Sequence, residues 1–482
     1  MAAVTDHLTR VEPDTFTPTE HFYAKVLNAQ VHPLVRFFMT LGNERILQRY
    51  CHMHPEVDAE AVHELLASKP FAFHWAGADL FCTTTAEGRR QLVVIETNSC
   101  PSGQKSMPRV DEDQEQAGYR ALLERCFLPL LRRRGLPPGG LAVLYDKNPM
   151  EAFGYARTLA DLCEEPVDVV GWPKDSAAPL ARFDAGVLEV RDAVDAPWRP
   201  VRAAFRYVTQ RPWDRIPPIT RTLIFNPVIA CLAGGRNKML AAKAYDLFNA
   251  EMEGTGLRVR VPETIWDVSM REVPLWVQRM GGVAVVKVPY TNAGQGVYTI
   301  TNRAELDAFM ALEQRYDRFI VQSLIGNASW SSRSRGDRLF HIGTVPDRKN
   351  DIYVADLRFM VGASPEGWFP VAVYARRTRK PLLPALDGTC SAWDMLGTNL
   401  SVQTADGGWD TETERLLLMD SRDFNKLGIG VDDLIEAYIR TILAATAIDR
   451  MARQLITQKG VFRRRLFSSL NPDPALLEEV IA

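Results

Sequence analysis

The segment VVIETNSCPSG, residues 93–103, constrains this chain more than any other. Its apolar start reads as a strand, and residues two apart on a strand share a face, so Glu96 and Asn98 point the same way. Pro101-Ser102-Gly103 then breaks the strand into a turn. Upstream, WAGADLF puts Asp79 on a second strand. The intervening TTTAEGRR, with Glu87-Gly88 at the turn, predicts a hairpin. That hairpin brings Asp79, Glu96 and Asn98 together. Hard oxygen donors at a strand end suit Mg2+, which is usually held by one or two carboxylates and substrate phosphates. Taken singly, Asp79 and Asn98 read better as turn residues and Glu96 as a solvated strand residue. The trio draws its weight from the rest of the chain.

At 482 residues the chain holds about three domains' worth of core, at ~150 residues per domain. A hydrophobic content of 46% and 24% charged residues are those of an ordinary globular protein. The formal net charge of −2 gives no long-range field to draw in nucleic acid or a membrane surface. The runs Arg132-Arg133-Arg134 and Arg463-Arg464-Arg465 read as solvated helix ends. No run approaches the ~18 apolar residues of a membrane span, and the opening MAAVTDHLTRVEPD has no apolar signal core. Seven scattered cysteines without CxxC spacing fit reduced thiols and argue against a zinc site. A cytoplasmic protein is therefore expected. Cys100 reads as a packing thiol rather than a nucleophile.

Residues 18–70 look helical, split at His54-Pro55, and a further helical stretch after the hairpin stops at GLPPGG. LAVLYD, PVDVVGW, AGVLEV and AAFRYV read as strands and PMEAFGYARTLADLCEE as a helix, which makes an α/β module with a parallel sheet. The module has no Gly-x-Gly-x-x-Gly fingerprint. GGRNKMLAAKAYDLFNAEM is an amphipathic helix with Leu240, Ala244, Leu247 and Phe248 on its apolar face, capped by Gly and Asn. Strands VAVVKVPY, GVYTI and FIVQSLI follow, then a strand-rich stretch over 351–403 and a helical tail from about 430.

Two further constellations carry chemistry. In VVKVPYTNAGQGV, Lys287 ends an apolar run and Gly294 and Gly296 follow in a loop. Such a loop can turn N–H groups toward phosphate oxygens, and the lysine adds a point charge; a plain hairpin turn is an equally good reading. In DLRFMV and YARRT, Arg358, Arg376 and Arg377 fall on adjacent strands, with Asn399 beyond them near a Gly turn. Arginine's planar fork suits phosphate and carboxylate recognition, and a surface salt-bridge ladder would use the same residues. Arg376, Arg379 and Lys380 could select an acidic substrate or be solvated charge.

Read in order, these pieces resemble the ATP-grasp superfamily. GGRNK, VVKVPYTNAGQGV, FIVQSLI, DLR, ARR and TNL run in the family's order from residue 234 to 400, while GADL…IETNSCPSG, at 77–103, precedes them all. That rotated order resembles the circularly permuted members, among them the eukaryotic-type glutathione synthetases and bacterial permuted ATP-grasp ligases. The resemblance implies a mixed α+β and α/β architecture: two α+β lobes sandwiching ATP, permuted, with an inserted α/β substrate-binding module. The domains are then 1–135 (N-terminal helices and permuted metal-binding part), 136–220 (the module), 221–345 (nucleotide-binding lobe) and 346–482 (C-terminal lobe and tail).

Carried over, the resemblance implies that Lys238 and Lys287 bind ATP phosphates. Gly294, Gln295 and Gly296 would cover the γ-phosphate, and Gln322, Ser323, Leu324 and Ile325 would form the hinge beside adenine. Asp79, Glu96 and Asn98 would hold Mg2+, and Arg358, Arg377 and Asn399 would meet the transferred phosphoryl group and the acyl substrate. Three features depart from the family: Val288 stands between Lys287 and Pro289, Ser323 occupies the hinge glutamate's position, and SWSSRSRGDR (329–338) is a polar excursion.

The implied activity is ATP-dependent carboxylate–amine ligation through an acylphosphate, releasing ADP and phosphate, with ATP and Mg2+ as cofactors. The partners are then small-molecule carboxylates and amines, amino acids included, with no nucleic acid or membrane. A homodimer is a further expectation. Two alternatives stand beside it: loading of an amino acid on a carrier-protein thiol as a thioester, and a nucleotide-binding pseudoenzyme with an interaction role.

Overall fold

In the computed structural model, residues 4–111, 113–173, 176–208, 215–291, 294, 296–386, 388–403 and 409–481 are described. The predicted hairpin forms from Trp75–Thr85 and Arg90–Ser99, with Asp79 opposite Glu96 and Gly77 opposite Asn98. The register shifts between Asp79 and Leu80, so Ile95 is the extra residue of a β-bulge. Bulges re-aim side chains and are common beside active sites. This one lies next to Glu96.

Trp75–Thr85 is the hub of a six-stranded antiparallel sheet. Arg90–Ser99 lies on one side, Ala355–Ser364 and Leu339–His341 on the other, and Gly367–Arg377 and Leu416–Leu417 extend it. Two segments far apart in the chain thus share one sheet. The helix Val431–Gln454 packs across Arg90–Ser99 and Ala355–Ser364 and against the helix Lys238–Glu251. It is buried around most of its circumference, as its apolar composition requires. No helix among the described residues is long and apolar enough to cross a membrane.

A second sheet is four-stranded and antiparallel, in the order Thr264–Ser269, Arg318–Ser323, Ala284–Lys287, Val297–Ile300. A third carries the α/β module. Gly140–Tyr145 pairs in parallel with Val167–Gly171 and Arg199–Tyr207, and the helix Pro149–Cys163 makes the crossover between the first two. Gly140–Tyr145 is a buried apolar run from Leu141 on, and Val167–Gly171 is buried throughout with its Asp168 paired to Arg10 and Arg199. Leu223–Phe225 adds a parallel strand and Val187–Val190 and Ala181–Asp184 an antiparallel edge.

The sequence pattern misplaces two features. His7–Val11 pairs antiparallel with Val167–Gly171, so the start of the chain completes the α/β sheet instead of joining the helices and hairpin of residues 1–135. Leu247 is 45% exposed. The buried arc of its helix centres on Ala241, Ala244, Tyr245 and Phe248, which leaves Leu247 at the margin.

Candidate functional site

The hairpin strand Arg90–Ser99, the helix Lys238–Glu251 and the four-stranded sheet enclose a cleft lined by Glu96, Lys238, Tyr245, Trp266, Lys287 and Gln322. The bulge turns Glu96 into it. Lys238 starts the helix, whose N-terminus is capped by the Asn237 side chain accepting from the Leu240 N–H at 3.2 Å. Its ammonium reaches Glu96 at 3.2 Å and donates to the Thr291 carbonyl. Lys287, at the end of Ala284–Lys287, donates to Gln322 Oε1 at 2.7 Å and to the carbonyl of bulged Ile95 at 3.4 Å.

The electrostatics follow from this geometry. Burial would raise the pKa of Glu96, but Lys238, with Lys287 and Arg236, outweighs burial and holds it below the ordinary carboxylate value. Burial pushes Lys287 down to about 8, against the pull of Glu96. Two ammonium groups and one carboxylate therefore meet in a cleft short of water, a setting that raises the affinity for phosphate oxygens.

Beside the cleft, Asp79, Asp356, Arg358 and Arg376 form a buried cluster. Arg358 faces Asp79 across the sheet and donates to both carboxylate oxygens at 2.6 and 2.7 Å. Arg376 reaches Asp79 at 3.0 Å and also grips Asp356, which accepts from the Thr398 hydroxyl at 2.8 Å. Despite burial, the guanidinium groups hold Asp79 far below the usual carboxylate range. Arg377 is not in this cluster. It follows Arg376 on the same strand, and the pleat sends it to the opposite face, where it stacks on Tyr353 at 4.7 Å. Of the two neighbouring arginines, Arg376 is the one the structure brings to Asp79.

Asn98 shares its face with Glu96, and its Oδ1 accepts from Arg236 at 3.0 Å while its buried Nδ2 has no partner. Arg236 also donates to the Ser99 and Cys100 carbonyls at 3.1 and 3.2 Å. Cys100 is 1% exposed and burial raises its thiol pKa, as a packing thiol requires. The following turn is locked from two sides. Ser102 Oγ and the Gly103 N–H donate to Glu151 at 2.6 and 2.7 Å, and Tyr374 donates to the Ser102 carbonyl at 2.8 Å. A Cβ on Gly103 would lie 2.2 Å from the Tyr374 ring, so the turn needs glycine.

Gly294 and Gly296 have φ of +77° and +66°, and Gly294 sits against Trp393 and Asn399. The loop therefore reaches Asn399, whose Nδ2 donates to the Ser401 carbonyl at 3.0 Å. Gln295 lies outside the described residues. Of the hinge, Gln322 faces the cleft, but the chain beyond it turns away. The Ser323 N–H donates to the Glu263 carbonyl at 2.8 Å, and the Leu324 and Gly326 N–H groups donate to Ser332 and Ser331 hydroxyls, each at 2.8 Å. The polar excursion thus caps the strand end, and Leu324 packs with Trp330 and Met395.

The donor set fits Mg2+ in part. Glu96 and Asn98 present hard oxygens side by side, but among the described residues no three His, Cys, Asp or Glu side chains could together hold a metal. A site of that kind suits an ion that arrives with phosphate ligands. Asp79, gripped by two guanidinium groups, is not free to be a ligand without exchanging one of them. Sequence reasoning missed Arg236 and Asp356, and it named Arg376 without placing it beside Asp79. The Asp-x-Arg spacing of Asp356 and Arg358 was the available signal, because it puts both on one face.

No protein-family model matches the chain, and no curated protein matches it. Among solved structures it is similar to a RimK domain ATP-grasp protein from Sphaerobacter thermophilus, at 14% identity and a TM-score of 0.28 over 48% of this chain and 89% of that one. It is also similar to a glutathione synthetase-like effector from Globodera pallida in its apo form, at 10% identity and a TM-score of 0.36 over 72% of this chain and 82% of that one. The fold itself is mixed α+β, with several sheets and helices.

Proposed function

We propose that this chain is an ATP-dependent ligase that joins a carboxylic acid to an amine and releases ADP and phosphate. The observation that carries the reading is the meeting of Glu96 with Lys238 and Lys287 in one cleft, with Asn98 on the face of Glu96. The sharing of one sheet by the hairpin and Ala355–Ser364 supports a circular permutation, which would bring an early metal strand to a late arginine strand.

In this reading the triphosphate lies along Lys238 and Lys287, and the base enters beside Tyr245, Trp266 and Gln322. Mg2+ held by Glu96 and Asn98 would neutralise phosphate charge. The substrate carboxylate attacks the γ-phosphate, giving an acylphosphate and ADP. The amine then attacks the acyl carbon, and phosphate leaves as the amide forms. The chain supplies charge rather than a nucleophile: Lys238 and Lys287 on the phosphates, and the Arg358–Arg376 pair near the transferred group. The loop at Gly294 and Gly296 is placed to exclude water, with Asn399 beneath it.

The test is ATP turnover with Mg2+ across a panel of carboxylic acids, with hydroxylamine as the surrogate amine. ADP together with a hydroxamate of one acid is the expected result. AMP release would contradict the reading, because it requires attack at the α-phosphate.

A further inference from the structure

At the carboxyl end of the strand Gly140–Tyr145 the chain runs Asp146-Lys147-Asn148 before the helix Pro149–Cys163 begins. That strand has parallel partners on both sides, Val167–Gly171 and Arg199–Tyr207, so the sheet grows outward from it in two directions. In open α/β sheets the crevice beyond the carboxyl ends at such a reversal is where small ligands bind. Asp146 is paired there with Arg215 at 2.8 Å. Lys147 is half-buried, and its ammonium makes no hydrogen bond or ion pair among the described residues.

Four residues beyond Lys147, Glu151 holds Ser102 and Gly103 of the turn that follows Asn98, so this strand end lies beside the hairpin strand of Glu96 and Asn98. On that same strand Arg236 holds Asn98, and across the sheet Arg358 holds Asp79. Burial, with Arg236 and Arg358, pushes the Lys147 ammonium down to about 8. The other cations near the site already have bonded partners: Lys287 donates to Gln322 and the Ile95 carbonyl, and Arg236 to Asn98 and two carbonyls. Arg358 and Arg376 are matched by Asp79 and Asp356, and Arg379 by Glu412 and Asp394. Lys380 is exposed. A half-buried ammonium next to other cations, with no bonded carboxylate, is unfavourable until an anion completes the set.

Resting on the ligase reading, we propose that Lys147 determines specificity by binding a second carboxylate of the acid substrate, so that the chain takes diacids or acidic amino acids. One carboxyl group is activated at the phosphates. The other is read at the end of the α/β sheet. This gives the module a direct part in substrate choice.

The test compares L-glutamate and glutarate with norvaline and valerate, which have the same chain lengths and lack the second carboxylate. ADP release with Mg2+-ATP and hydroxylamine is measured for the wild type and for Lys147→Met, which keeps an unbranched stem. The expected result is a diacid preference in kcat/KM of roughly 30-fold or more, which the variant loses. Equal rates for diacids and monoacids, or a preference that survives in Lys147→Met, would overturn the proposal. If no acid releases ADP, the ligase reading fails by itself. Calorimetric titration of glutarate into the two proteins without ATP then decides: binding that Lys147→Met abolishes supports the lysine site, and equal or absent binding overturns it.

Discussion

Asp79 and Arg358 stand opposite one another on neighbouring antiparallel strands, joined by two hydrogen bonds of 2.6 and 2.7 Å. Asp79 is buried and Arg358 half-buried, so removal of the arginine leaves a buried carboxylate short of its main partner. Asp79→Asn is expected to destabilise the fold by about 3 kcal/mol or more in urea unfolding. The double variant Asp79→Asn/Arg358→Met should be less unstable than the sum of the singles by about 1–3 kcal/mol. Unchanged stability in Asp79→Asn, with a loss confined to Mg2+ dependence, would show that the carboxylate serves a metal and not the sheet.

Adjacent arginines on opposite faces of one strand give a sharper test. Arg376 is buried among Asp79 and Asp356, whereas Arg377 lies over Tyr353. Arg376→Met should cost about 3 kcal/mol and abolish turnover. Arg377→Met should stay within about 0.5 kcal/mol of the wild type. The reverse ranking in thermal or urea unfolding would mean that the register of this strand is wrong.

Acid stability has one predictable component. Glu436 accepts from Arg440 at 2.7 Å and pairs with His54 at 2.8 Å. Burial would raise its pKa, but Arg440 and His54 outweigh it and lower it to about 2. Because the folded pKa is depressed, the contribution is present above the ordinary glutamate value and is lost as pH falls through it toward about 2. Glu436→Gln should therefore be less stable than the wild type at neutral pH by about 3 kcal/mol. That gap should narrow steadily over the acid window in unfolding curves. A gap that is the same at low and neutral pH would rule out the carboxylate as its source.

The turn after the strand Arg90–Ser99 is testable by size alone. Gly103→Ala puts a methyl 2.2 Å from the Tyr374 ring, so the turn or the ring must shift. A drop in stability of about 1–3 kcal/mol is expected, measured by the unfolding midpoint. An unchanged midpoint would show that the turn accommodates the methyl group.

Much of this architecture was legible because local signals agreed. The hairpin had alternating patterns and a Gly turn, and the long helices had apolar periodicity. Glu96, Asn98 and Lys287 were visible because strand period and a Gly-rich loop mark them. Other parts were not legible, for physical reasons. Arg376 and Arg377 are neighbours of the same type, and only strand register separates them. His7–Val11 is short and half-exposed, and its place depends on a partner about 160 residues away. The closure of the hinge by Ser331 and Ser332 is a contact between irregular segments that carry no period. Lys147 gave no sequence signal, since its meaning lies in the partners it lacks among the described residues.

The central claim is that Glu96, with Lys238 and Lys287, handles a metal-bound triphosphate. Its most direct test is ATP-to-ADP turnover in Mg2+ by Glu96→Gln against the wild type, with the unfolding midpoint measured on both. The account predicts a loss of ~10²–10³ in rate with a folded protein. Near-normal turnover in the folded variant would contradict it.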